Sequence, residues 1–195
     1  MKVLRLRQID KPYFSYEDIA RVFNISRDSA RVAASRYARS GILLRLKPDI
    51  YILKEKWPYL STEQKLLLAN LLQVPSYVSL TTALAYYEIT TQIQQNFIES
   101  IAIKRTKEIA IEDTLFKYNK INPALYFGFV RLRGFFIAEP EKALLDALYF
   151  MSFGRYTLDI SAIDLDKFDS QKLKNLAKKF PAGTQKLLIN CYEHS

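Results

Sequence analysis

The sequence predicts an α+β chain in two parts, residues 1–60 and 61–195, on three observations. Apolar residues recur at helical spacing over residues 16–23 and 27–40, the mark of amphipathic helices. Short apolar runs bounded by turn residues follow Gly41 and recur beyond residue 100, the mark of strands. Charge is divided unevenly: the net +9 of the 195 residues falls as +7 on residues 1–60 and +2 on the remainder, as expected of a basic module joined to a nearly neutral one.

Bulk composition narrows the field. A chain with 49% hydrophobic and 13% aromatic residues can bury a sizeable core, and only 5 Gly and 7 Pro argue against long linkers. No repeat of fixed period is visible. The longest apolar stretches, such as residues 124–130, fall far short of the roughly 20 residues of a membrane-spanning helix. Lys2, Arg5 and Arg7 are not followed by the apolar segment of a secretory signal, so a cytoplasmic location and no membrane partner are expected. One cysteine, Cys191, and one histidine, His194, leave no disulfide and too few soft ligands for zinc, haem or iron-sulfur chemistry; no metal or cofactor is expected.

Taking the elements in order, Ser15 is a helix N-cap for residues 16–23, with Glu17 and Asp18 in the first turn, where the helix dipole favours acids. Asn24 tolerates the left-handed conformation of a tight turn, and Ser26 caps a second helix over residues 27–40, closed by Gly41. Ala30, Ala33 or Ala34, Tyr37 and Ala38 form its apolar stripe. Two helices joined by about three turn residues make a helix-turn-helix unit, whose second helix is built to enter a major groove. Residues 42–46 and 50–53 then read as two strands around Lys47-Pro48-Asp49, a hairpin in the position of a wing. The predicted fold of residues 1–60 is therefore a winged helix-turn-helix, and its positive charge points to double-stranded DNA.

Within that module Arg27, Arg31 and Ser35, spaced four apart, form one exposed stripe on the second helix. They are the candidate base contacts, because Arg can bond guanine bidentately and Ser is an adaptable donor or acceptor. Arg45 and Lys47 on the hairpin are the candidate phosphate contacts. Arg21, Arg36 and Arg39 are expected to be solvated or to pair with Glu17 or Asp28.

After Trp57-Pro58, Ser61 and Gln64 form a capping box for a helix ending near Leu72. Residues 75–80 lead into a helix over 81–87, with Ser79 as its expected cap. Strands are expected at 100–106, 108–111, 117–121, 125–130 and 135–138. Pro140 suits the first position of the next helix, and a last basic helix is expected over 171–180, capped by Asp169 or Ser170.

The basic helix-turn-helix and wing, Val74-Pro75-Ser76-Tyr77-Val78-Ser79-Leu80 with Ala83-Leu84 and Tyr86, and Ile137-Ala138-Glu139-Pro140-Glu141-Lys142-Ala143-Leu144-Leu145-Asp146 together resemble the AbiEi family of antitoxins from type IV toxin-antitoxin systems, over about residues 12–180. The resemblance implies a repressor of its own operon whose C-terminal domain counteracts a co-encoded nucleotidyltransferase-like toxin. After Asp146 it is general in character only.

The same motifs have structural explanations. Glu139 and Glu141 open a helix, and Lys142 faces Asp146 at i+4, which outweighs a catalytic pair of acids. Capping outweighs phosphate binding at Ser76, Tyr77 and Ser79. Asp164-Leu165-Asp166 lacks the Gly-Ser turn of a nucleotidyltransferase, and neither a Gly-rich phosphate loop nor a serine triad can be assembled. No catalytic residue and no enzyme activity are expected. A DNA-binding regulator with antitoxin activity ranks first, ahead of a ligand-responsive winged-helix transcription factor and an enzyme carrying a DNA-binding domain.

Overall fold

The computed structural model describes residues 2–92 and 94–193; His194 lies outside the described residues. It divides into two compact units, residues 1–65 and 66–195, and its mixture of helices and sheets is α+β.

The first unit runs α1 (Lys2–Leu6), β1 (Phe14–Ser15), α2 (Tyr16–Phe23), α3 (Arg27–Arg39), β2 (Leu43–Lys47), β3 (Ile50–Leu53) and a short 3-10 helix, Lys54–Tyr59. Ser15 caps α2 in a full capping box: its hydroxyl accepts from the Glu17 and Asp18 amides while the Asp18 carboxylate accepts from the Ser15 amide. Asn24 ends α2 in the left-handed region at φ 53°, and Ser26 caps α3 by accepting from the Ser29 amide. Ser15 also belongs to β1, which pairs antiparallel with β3 (Phe14↔Tyr51, Ser15↔Ile50), so one short segment anchors the β2–β3 hairpin to the start of α2. Ile19, Phe23, Ala30, Ala33, Ala34 and Tyr37 meet Leu43, Tyr51 and Leu53 in the core. The alanines let α3 lie close, and the fully buried Leu6 joins the same cluster from α1.

The helix α4 (Thr62–Leu72) opens in the last residues of the first unit, with the Ser61–Gln64 box formed by both hydrogen bonds, 2.9 and 3.2 Å. The second unit continues with β4 (Ser76–Val78), α5 (Leu80–Tyr86), β5 (Phe97–Ala102), β6 (Lys107–Ile111), β7 (Thr114–Lys120), β8 (Phe129–Leu132), β9 (Phe135–Ala138), α6 (Pro140–Met151), α7 (Ser170–Ala177) and α8 (Ala182–Glu193). Its sheet has the order β6-β7-β5-β4-β9-β8, with β5–β7 and β4–β9 parallel and the other pairs antiparallel. α6 lies at the centre of the helical layer and is buried from Glu141 to Leu148.

Several expectations need correction. Ser79 sits at the N-cap of α5 but makes no capping bond, because its hydroxyl donates to Asp146 at 2.8 Å. The strand expected at 100–106 starts three residues earlier and stops at Ala102. Residues 125–130 split into a 3-10 turn, Pro123–Leu125, and β8. The basic helix α7 is not the last, since Pro181 is followed by α8.

Candidate nucleic-acid interface

Helix α3 and the β2–β3 hairpin enclose a cleft of about 510 Å³ lined by Arg31, Ser35, Ala38, Arg39, Arg45, Asp49 and Tyr51. Three of the five sequence-derived candidates, Arg31, Ser35 and Arg45, therefore share one concave surface. The other two lie outside its lining. Arg27, one turn before Arg31, is an exposed residue paired with Glu17 at 3.2 Å. An ion pair so open to solvent contributes little and yields readily to a phosphate.

Lys47 is placed by a β-bulge. The ladder runs Leu43↔Leu53, Leu44↔Ile52, Arg45↔Tyr51 and then Lys47↔Ile50, which leaves Leu46 as an extra residue. An inserted residue breaks the two-residue alternation of a strand. Arg45 and Lys47, two apart in sequence, are thereby released from a common face, and Leu46 is buried. The hairpin closes through Asp49 at φ 62°, in the left-handed region that Asp adopts more readily than most residues.

Arg31 is held from below. Its guanidinium carbon lies 4.7 Å from the centroid of the Tyr16 ring, and Nη2 donates to the Tyr16 hydroxyl at 3.2 Å. That hydrogen bond raises the guanidinium pKa above its ordinary value, so the charge is fixed. Arg21 lies 3.9 Å from Asp18, and Arg36 leans over the Tyr37 ring at 5.5 Å. Arg39 is exposed, as expected, and also lines the cleft; Glu17 is engaged by Arg27. Sequence reasoning also missed Asp49 and Tyr51 as cleft residues. Both follow from pairing β3 against β2, since Tyr51 stands opposite Arg45.

In the second unit several exposed basic side chains lie toward one end of the sheet. The sheet register brings the ends of β5, β7 and β8 and the starts of β6 and β9 to one side. Lys104, Arg105, Lys107 and Lys120 lie at that end by β5, β6 and β7, and Arg131 and Arg133 lie at the same end by the opposite edge strand β8, while Glu112, Asp113 and Glu139 lie at the other end.

Deeper in that unit the two sequence motifs meet. Lys142, fully buried, donates to the Tyr77 hydroxyl at 2.9 Å and pairs with Asp146, which also accepts from Tyr77 at 3.0 Å and Ser79 at 2.8 Å. Rings of Tyr77, Phe127 and Phe180 surround the ammonium at 5.2 to 5.4 Å. Burial lowers the Lys142 pKa and raises that of Asp146, each opposed by the partner charge. A Cβ at Gly128, whose φ is +70°, would stand 3.1 to 3.2 Å from the Lys142 stem. The motifs thus form a sealed structural network. Glu139 and Glu141 pair with Lys172, both at 2.9 Å, and Asp164 accepts from the Asp166 amide as the cap of a 3-10 turn. Among the described residues no group of three or more His, Cys, Asp or Glu side chains is placed to hold a metal ion, and no helix is long and apolar enough to cross a membrane.

Comparison with known proteins agrees with the N-terminal geometry. Residues 1–54 match the family model described as transcriptional regulator, AbiEi antitoxin. The crystal structure of the RV2827C protein from Mycobacterium tuberculosis is similar in fold, with a TM-score of 0.59 at 11% identity, covering 93% of this chain and 71% of that one. No curated protein matches the chain.

Proposed function

We propose that this protein is a duplex-DNA-binding repressor of its own operon and the antitoxin of a type IV toxin-antitoxin pair, counteracting a co-encoded nucleotidyltransferase-like toxin without catalysis of its own. The observation that carries the reading is the cleft shared by Arg31, Ser35 and Arg45, in the segment that matches a transcriptional-regulator antitoxin model. In this reading α3 enters the major groove, with Arg31 and Ser35 at base edges and Arg27 near the backbone at its N-terminal end. Arg45 and Lys47 in the wing meet flanking phosphates. The second unit carries the antitoxin activity.

Two measurements test this. Full-length protein should bind the DNA upstream of its own gene more tightly than shuffled DNA of equal length, with affinity falling as salt rises. Cells expressing the adjacent toxin gene should survive when the protein, or a folded fragment lacking residues 1–60, is supplied from an independent promoter. Death in both cases removes the antitoxin half of the reading, and equal binding to shuffled DNA removes the repressor half.

One observation favours a ligand-responsive regulator as a second reading. A cavity of about 490 Å³ in the second unit is lined by Leu148, Met151, Ile160, Ile163 and Leu187, with Ser161, Asn190 and Cys191 as its polar groups. Such a regulator would bind its operator but give no protection in the survival test.

A further inference from the structure

Val32 stands on the outward side of α3 with 69% of its surface exposed, more than any other large aliphatic side chain among the described residues. At 3.6 residues per turn it falls roughly 150° round the helix from the stripe of Ala30, Ala33, Ala34 and Tyr37 that packs into the core. Its neighbours one turn away are Asp28, Ser29, Ser35 and Arg36, all polar. Val32 is therefore a lone apolar group in a polar, basic field, too small a patch to bind another protein surface.

The long cations beside it do not cover it. Arg31 is drawn to the Tyr16 ring at 4.7 Å and Arg36 to the Tyr37 ring at 5.5 Å. A β-branched residue adds nothing to a solvated helix that alanine would not supply better, but inside a helix its χ1 is nearly fixed, so its two methyls are already oriented. In the major groove the base pairs present donors, acceptors and one apolar group, the thymine C5-methyl.

We infer that Val32 packs against a thymine methyl and specifies a T·A pair beside the bases met by Arg31 and Ser35. This rests on the reading of the first unit as a DNA-binding module. Arg31 and Ser35 read by hydrogen bonding, while Val32 reads by excluding water from one methyl group, and cytosine, which lacks that methyl, is discriminated against at the same position.

Replacing thymine by deoxyuridine removes the methyl and leaves the hydrogen-bonding edge intact. The full-length chain is used to select its preferred sequence from random duplexes. The thymines of that sequence are then replaced one at a time, and affinities are read by fluorescence anisotropy for the wild type and for Val32→Ala. The expected result is one position, or a symmetry-related pair, at which deoxyuridine weakens wild-type binding about four-fold, the ~0.8 kcal/mol of one buried methyl at 1.4 kcal/mol per factor of ten. At that position the variant should bind thymine and uracil duplexes alike. Both proteins should bind random duplex equally, which also reports that the exposed substitution leaves the fold intact. Selection without any sequence preference overturns the DNA-binding reading and this inference with it. A clear preference whose uracil profile is flat, or is the same in both proteins, overturns the role of Val32 alone.

Discussion

The Arg31 guanidinium lies 4.7 Å from the centroid of the Tyr16 ring and donates to the Tyr16 hydroxyl at 3.2 Å, linking the middle of α3 to the first residue of α2. One of the three arginines that line the cleft is thus held in place before any ligand arrives. A pre-positioned arginine loses less side-chain freedom on binding than a solvated one.

Arg31→Ala should relax sequence preference. Loss of a bidentate base contact costs about 1 to 3 kcal/mol against the preferred duplex and little against random DNA. Tyr16→Ala, which keeps the arginine but removes its support, should cost no more than ~1 kcal/mol. Competition binding with specific and random duplexes measures both. Equal weakening on the two duplexes by Arg31→Ala would mean that α3 docks differently.

The wing residues should act without regard to sequence. Lys47→Ala is expected to weaken specific and random binding alike and to reduce the slope of log affinity against log salt by about 0.9, one phosphate's share. Asp49→Asn should act in the opposite sense, since it removes a negative charge from the cleft while asparagine keeps the left-handed backbone at φ 62°. Salt titrations of the two variants decide this.

In the second unit, Asp146→Ala should destabilise the fold by about 3 to 5 kcal/mol, because it leaves the ammonium of Lys142 sealed without its counter-charge. Replacing both charges, with Lys142→Met and Asp146→Leu together, should cost less than the two single changes summed. Urea denaturation followed by circular dichroism gives the values for Asp146→Ala, for each of the two single replacements and for the double. Strict additivity would show that the pair is not coupled.

Glu99 should make the second unit weaken as pH rises. Burial pushes its carboxyl above the ordinary range, although Tyr156 donates to it at 2.7 Å. The folded chain then keeps a proton that the unfolded chain releases near its ordinary pKa of about 4.3. The stability this contributes is full below that value and is lost as pH rises through the raised folded value. Glu99→Gln cannot ionise, so its stability relative to wild type should increase from pH 4 to pH 7; a constant difference across that range would contradict the assignment.

What the sequence made legible was local. The caps at Ser15 and Ser26, the Ser61–Gln64 box and Pro140 at the head of α6 each depend on residues within four positions, and each stands where expected. Ser79 fails the same logic because its partner, Asp146, is 67 residues away. The charged Glu99 interrupts the apolar run of β5 and hid its first three residues, since a buried carboxylate has no signature without Tyr156 beside it. In the cleft, helical spacing put Arg31 and Ser35 on one face, and both line it. The places of Arg39, Asp49 and Tyr51 depended on the hairpin register, and the bulge at Leu46 separates Lys47 from Arg45 in a way that alternation alone does not foretell.

The enclosure of Lys142 also bears on its chemistry. An amine wrapped by three aromatic rings and bonded to Asp146 and Tyr77 is out of reach of acylating reagents, and Lys104 or Lys120, exposed on the same unit, is not. In a labelling time course read by mass spectrometry, modification at Lys142 would accumulate only as fast as the region around it opens. One side chain thereby becomes an internal clock for the opening of the second unit, with no residue substituted to report on it and no need to know what that unit binds.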